Sequence, residues 1–282
     1  MSVAKLLACG LGIAVLAAGT AGAAAGPVYR TPQAYYLALG DSLAYGIQPD
    51  KVDAGLPPFG FDTGYVDVFA ARLRALAPKI RVVNYGCPGE STLTFVAGGC
   101  PWLAGGKKLH DAFKGSQQRA ALAFLATHRG RVSPITLTLA GNDVAALSDA
   151  CKDDLACVQA RAPKALAAFA DRLSSILGRL RAAAPTAEII VTGAWNENVD
   201  ALAATDPLYR ALNAAVAKAA AGAKARFADM APIFNPAGGV AREKARVCAL
   251  TFVCSRDDAH PTNAGYKAMA GAVLTASGYP TR

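Results

Sequence analysis

The stretch YYLALGDSLAYG, Tyr35 to Gly46, decides the fold. A run of apolar, strand-forming residues stops at Gly40, and Ser42 stands two places on. A Gly-Asp-Ser turn ends many strands for conformational reasons alone. The same placement also puts a hydroxyl at the tip of a strand, where a nucleophile is wanted. The choice between the two rests on what the other strands carry at their ends.

Along the rest of the chain, short apolar runs alternate with longer amphipathic ones. Strands are predicted at 35–39, 80–85, 134–140, 187–194 and 225–231, and helices at 64–78, 116–129, 162–185, 206–222 and 263–277. The fourth helix is expected to start at Asp206, with Pro207 in the first helical position. Strands alternating with helices predict an α/β fold, a five-stranded parallel sheet covered on both faces. The connections 46–63, 86–115 and 141–160 follow the first three strands and 232–262 follows the fifth. Connections of that length are more often functional than accidental. In an open α/β sheet they gather at the carboxyl edge, where ligands bind.

The 282 residues, 53% of them hydrophobic, suffice for one large core. The first 25 residues read as a signal peptide: Lys5 as a minimal basic region, an apolar stretch from Leu6 to about Ala18, and small residues at 21–25 for cleavage. The apolar run is shorter than the roughly 20 residues that span a bilayer, which disfavours an anchor. Residues 26–282 are expected to form a single domain in a secreted or periplasmic protein. The net charge of +9 falls to +8 without Lys5, and no basic run exceeds a pair. Nothing resembles a nucleic-acid-binding motif, so no such partner is expected. The basic balance suits solubility, with at most transient contact with anionic lipid surfaces.

Seven cysteines become six without Cys9. An even count in an exported chain implies disulfides, and six cysteines allow 15 pairings. Short loops close at least entropic cost, which favours Cys87–Cys100, Cys151–Cys157 and Cys248–Cys254. With no C-x-x-C and only three histidines, no metal is expected.

A serine nucleophile needs a base that titrates near neutrality, and imidazole is the usual one. His128 ends a predicted helix, and His110 lies in the basic loop GGKKLHDAF. His260 lies in RDDAHPTNAGY, just before the last helix. Asp257, three residues earlier, is expected to fold back onto the imidazole Nδ1–H; Asp258, two residues earlier, points back less naturally. After the second strand, Gly89 offers a backbone N–H with no side chain in the way, as an oxyanion hole requires. After the third, Asn142 carries an amide at the same edge. Gly89 alone reads as a Pro-Gly turn and Asn142 alone as an Asx-turn. All five groups map to one edge of one sheet.

From Tyr35 to the last helix the sequence resembles the GDSL, or SGNH, hydrolases, a family of serine esterases and lipases. The resemblance rests on four blocks in order: Gly40-Asp41-Ser42-Leu43, Asn84 with Gly89, Gly141-Asn142-Asp143, and Asp257-Asp258-Ala259-His260-Pro261. It implies a flavodoxin-like three-layer α/β/α sandwich. It also implies Ser42 as nucleophile, His260 as base, Asp257 as the orienting acid, and an oxyanion hole from the Ser42 and Gly89 amides and the Asn142 side chain. No cofactor is implied. The α/β-hydrolase fold is disfavoured, since no G-x-S-x-G elbow occurs. Each disulfide would brace a site-bearing loop, Cys87–Cys100 contributing ~3 kcal/mol in the chain-entropy model.

The expected activity is hydrolysis of carboxylic esters by a monomer. Apolar residues in 55–61 and 93–106, Trp102 among them, suggest walls for an acyl chain. Trp195-Asn196-Glu197-Asn198, after the fourth strand, suggests the alternative of a carbohydrate O-acetyl esterase. A binding protein that merely keeps the fold has no need of all five groups.

Overall fold

The computed structural model describes residues 31–280. Five strands form one parallel sheet: β1 (Tyr35–Gly40), β2 (Arg81–Asn84), β3 (Val132–Thr138), β4 (Ile189–Thr192) and β5 (Arg226–Ala228), in the order β2-β1-β3-β4-β5. The expected α/β sandwich is thus present. β1 lies between β2 and β3, with Leu37 opposite both Val83 of β2 and Ile135 of β3.

Side chains alternate across the sheet with period two. Leu37 and Leu39 join Leu137, Ile189 and Val191 in one apolar cluster, whereas Tyr36 and Ala38 join Ile190 and Ala228 in the other. Both faces are therefore buried, which is why these strands read as continuous apolar runs. Two of the buried tyrosines on the second face are satisfied by strand threonines. Tyr36 Oη lies 2.8 Å from Thr136 Oγ1, and Tyr65 Oη lies 2.7 Å from Thr138 Oγ1.

The first long connection holds α1 (Ser42–Tyr45) and α2 (Pro49–Asp53), ahead of α3 (Tyr65–Leu76). The second holds α4 (Thr92–Ala97) and α5 (Pro101–Ala104), ahead of α6 (Gln117–Thr127). Between β3 and β4 come α7 (Gly141–Cys151) and α8 (Leu155–Ala183), and between β4 and β5 comes α9 (Leu202–Gly222). After β5 follow α10 (Ala231–Phe234), α11 (Val240–Leu250), β6 (Thr251–Phe252), α12 (Val253–Arg256), β7 (Asp258–Pro261) and α13 (Asn263–Ser277). Helices α4, α6, α8 and α9 cover one face; α3, α11 and α13 cover the other. β6 and β7 form a small antiparallel pair that the sequence periodicity does not signal.

Two helices begin earlier than their prolines suggest. α8 starts at Leu155, capped by Asp154, whose Oδ1 accepts from Cys157 N at 2.7 Å, and it runs on through Pro163. α9 starts at Leu202, so Pro207 lies inside it. Asp206, expected as its cap, instead accepts from Asn196 Nδ2 at 2.9 Å and pairs with Arg210 at 3.1 Å. Packing against the core and flanking side-chain bonds outweigh the single backbone bond that each proline removes.

Among the described residues three disulfides join neighbours in sequence: Cys87–Cys100, Cys151–Cys157 between α7 and α8, and Cys248–Cys254 between α11 and α12. Among the described residues no helix is long and apolar enough to cross a membrane. The signal peptide expected at 1–25 lies outside the described residues.

Candidate active site

β1 ends at Gly40, whose φ of 126° belongs to glycine and whose missing Cβ would overlap the Thr138 carbonyl of β3. The chain then turns. Asp41 N donates to Thr138 O at 3.1 Å, and Asp41 Oδ1 accepts from Leu43 N at 2.9 Å, capping α1. Ser42 is the first residue of that helix and is half-buried. Asp41 is only 3% exposed, and burial pushes its carboxyl up to about 7. The aspartate therefore fixes the turn, while the serine faces outward.

The loop after β2 is tied to this turn. Asn84 Nδ2 donates to Ala44 O at 2.8 Å, and its Oδ1 accepts from Gly86 N at 2.9 Å. Cys87 N donates to Gly40 O at 2.9 Å. Gly89 follows with φ of 84° and is exposed, so its amide lies open. A Cβ there would press on the ring of Pro101 at 3.1 Å, which the adjacent Cys87–Cys100 bond keeps close.

From the third strand's side, Asn142 Nδ2 donates to Glu90 O at 2.9 Å. A primary amide carries two N–H groups, so one remains for a ligand. Asp143 locks the same junction: Thr92 N donates to its Oδ2 at 2.8 Å, Thr92 Oγ1 donates to its Oδ1 at 2.5 Å, and Arg172 pairs with it at 3.1 Å. Buried Gln117 bonds both Gly40 and Glu90. No motif signals Gln117 or Arg172; each lies on an amphipathic helix and reads as ordinary helix polarity.

His260 lies on β7. Its Nδ1 donates to Asp258 Oδ1 at 2.7 Å, and the same oxygen accepts from His260 N at 2.8 Å. The partner of the ring is therefore Asp258 and not the expected Asp257. The reason is the backbone. In an extended strand, residues two apart share a face, and β7 places Asp258 and His260 so. Asp257, three before the histidine, caps α12 in the left-handed region (φ 52°) with its side chain exposed. Burial opposes the charge of Asp258, but the hydrogen bond and charge of His260 outweigh it and hold the carboxyl below its ordinary range. The other histidines are occupied elsewhere: His110 Nε2 lies 2.9 Å from Tyr45 O, and His128 Nδ1 lies 3.0 Å from Phe124 O.

Ser42, Gly89, Asn142 and His260 all line one cavity of about 500 Å³. Its walls are mainly apolar and include Leu43, Ile47, Leu139 and Trp102. Of the segment 55–61, nothing lines it: Phe61 packs on Tyr45 at 5.2 Å between ring centroids, and Phe59 is 81% exposed. Trp195 borders the cavity, but its ring is buried and stacked on Phe234 at 4.2 Å, so it is not a free platform for a sugar. Glu197 lines the cavity as well. Burial raises its carboxyl above the ordinary range; Asp258 reinforces that shift and His260 opposes it.

Solved structures of the same shape are numerous. A phospholipase A1 from Streptomyces albidoflavus NA297 is 22% identical, with 87% of this chain and 99% of that one covered at a TM-score of 0.56. An extracellular lipase from Streptomyces rimosus is 20% identical over 86% and 99%, with a TM-score of 0.54. A variant of an acetyl xylan esterase from Geobacillus stearothermophilus is 19% identical over 90% and 100%, with a TM-score of 0.55. No curated protein matches the chain by sequence. The family model of the GDSL-like lipases and acylhydrolases matches residues 38–268, from β1 into the last helix, and the chain therefore belongs to the GDSL-like lipase/acylhydrolase family.

Proposed function

We propose that the protein is an exported carboxylic ester hydrolase that works through Ser42, His260 and Asp258 by way of an acyl-enzyme. The observation that carries this is the convergence of Ser42, Gly89, Asn142 and His260 on one cavity, with the imidazole already hydrogen-bonded to a carboxylate. Asp258 fixes the tautomer that leaves Nε2 free to accept a proton. Ser42 Oγ attacks the ester carbonyl carbon as His260 Nε2 takes its proton. The carbonyl π pair moves onto oxygen, which the Ser42 and Gly89 amides and the second Asn142 N–H stabilise. Collapse expels the alcohol, protonated by His260. Water, deprotonated by the same nitrogen, then attacks the acyl-enzyme, releasing the acid and restoring Ser42.

Mainly apolar walls favour an acyl group longer than acetyl. The buried, stacked ring of Trp195 weighs against the glycan O-acetyl alternative. Three disulfides agree with an oxidising compartment, as an exported chain would meet. A chain-length series of p-nitrophenyl esters tests the reading. The expected result is turnover with an optimum beyond acetate, falling at least ~10³-fold in kcat in Ser42→Ala. An optimum at acetate sinks the acyl-pocket assignment, and full activity in Ser42→Ala sinks the mechanism.

A further inference from the structure

The segment after β4 is pinned at almost every group. Asn196 N donates to Asn235 Oδ1 at 2.8 Å, and Asn235 Nδ2 returns a bond to Asn196 O at 3.0 Å. The Asn196 side chain donates to Leu202 O at 3.0 Å and to Asp206 at 2.9 Å, and accepts from Thr205 Oγ1 at 3.0 Å. Val199 N donates to Glu197 O at 2.8 Å. The Glu197 carboxylate is the exception. It lines the cavity, is half-buried, and has neither a hydrogen-bond partner nor an ion-pair partner among the described residues. The same wall holds Thr192 and Trp195, whose Oγ1 and Nε1 are buried without partners among the described residues. A half-buried carboxylate on a fixed backbone, beside two buried polar atoms without partners among the described residues, is placed to accept from a donor on a bound ligand.

Its position says which part of a substrate supplies that donor. Glu197 lines the cavity together with Tyr209, Ala259 and His260, and its electrostatic neighbours include His260, Asp258 and Tyr209. In the ester hydrolysis proposed above, His260 hands its proton to the departing alcohol, so the space beside the imidazole belongs to the alcohol portion and not to the acyl chain. Resting on that reading, we infer that Glu197 is a specificity-determining residue that accepts a hydrogen bond from a free hydroxyl on the alcohol portion of the ester. The substrate class is thereby narrowed to partial esters of a polyol, glycerol or a sugar, with the acyl chain in the apolar part of the cavity.

The test compares two esters of one acid with the purified full chain. Glycerol 1-monobutyrate carries free hydroxyls; propyl butyrate carries none. The quantity read is the ratio of their kcat/KM values, in wild type, Glu197→Gln and Glu197→Leu. A butyrylated methyl xyloside run alongside distinguishes a sugar from glycerol as the source of the hydroxyl. Wild type is expected to favour one of the polyol esters by about tenfold or more, the size of a hydrogen bond to a charged group. Glu197→Leu is expected to bring that ratio close to one, mainly through KM, with Glu197→Gln intermediate. A wild-type ratio near one overturns the inference without any variant, so a misfolded variant does not shield it. So does an unchanged ratio in Glu197→Leu, or an equal loss on both esters with a displaced pH profile, which would mean that Glu197 acts through His260. A wild-type chain that hydrolyses none of the three esters overturns the hydrolase reading itself, and the inference with it.

Discussion

Gln117 holds Gly40 by both of its backbone groups: Gly40 N donates to Gln117 Oε1 at 2.6 Å, and Gln117 Nε2 donates to Gly40 O at 2.9 Å. The same Nε2 reaches Glu90 Oε2 at 2.9 Å, so one buried amide joins the strand end before Ser42 to the loop that carries Gly89. A leucine there would leave Gly40 N without its side-chain partner and Glu90 Oε2 orphaned, beside Glu90 Oε1, which already lacks a partner among the described residues. Gln117→Leu is expected to cost about 3 kcal/mol in denaturant unfolding, the penalty of buried unsatisfied groups. It is also expected to lower kcat more than it raises KM, because it loosens the two loops relative to each other. A loss below ~0.5 kcal/mol, the usual size of a surface substitution, would show that the clamp is idle.

The two aspartates before His260 make opposite predictions. Asp258 shares a strand face with the imidazole and accepts its Nδ1–H; Asp257 is exposed at the end of α12. Asp258→Asn is expected to lower kcat on p-nitrophenyl butyrate by ~10⁴-fold, since an amide presents the wrong group to the ring. Asp257→Asn is expected to stay within about threefold, as surface substitutions do, and asparagine tolerates the left-handed backbone there. Steady-state kinetics of the two variants decide the matter, and the reverse ranking would restore Asp257 as the orienting acid.

That pair also shows where sequence reading stops. The sheet was legible because both faces are buried and its strands are apolar runs between helical periods. Ser42, Gly89 and Asn142 were legible because each follows a strand, and parallel topology sends strand ends to one edge. The partner of His260 was not legible, because choosing between spacings of two and three requires the local backbone. A four-residue strand paired with only two residues gives no periodic signal. Gln117 and Arg172 were invisible for a related reason: a polar residue on a helix announces solvent unless the partner across the fold is known. The early starts of α8 and α9 were hidden by prolines, whose local penalty is real but smaller than the packing around them.

Burial raises the Asp41 carboxyl from 3.8 to about 7, against the lowering effect of the Leu43 amide and of His260. Its folded pKa lies above its unfolded one, so between those values the folded state binds the extra proton. The linked stability is fully present below about pH 4 and is lost as pH rises through 7. Asn at this position keeps an oxygen to cap Leu43 and cannot ionise, so it isolates the effect from the other buried carboxyls, Glu90 and Glu188, which also titrate upward. Unfolding free energies at pH 4 and pH 8 are expected to show wild type losing on the order of 4 kcal/mol more than Asp41→Asn over that interval. A difference between the two proteins that does not change with pH would mean that the turn beside Ser42 holds its aspartate ionised throughout. The cap and the neighbouring imidazole would then outweigh burial at the strand tip.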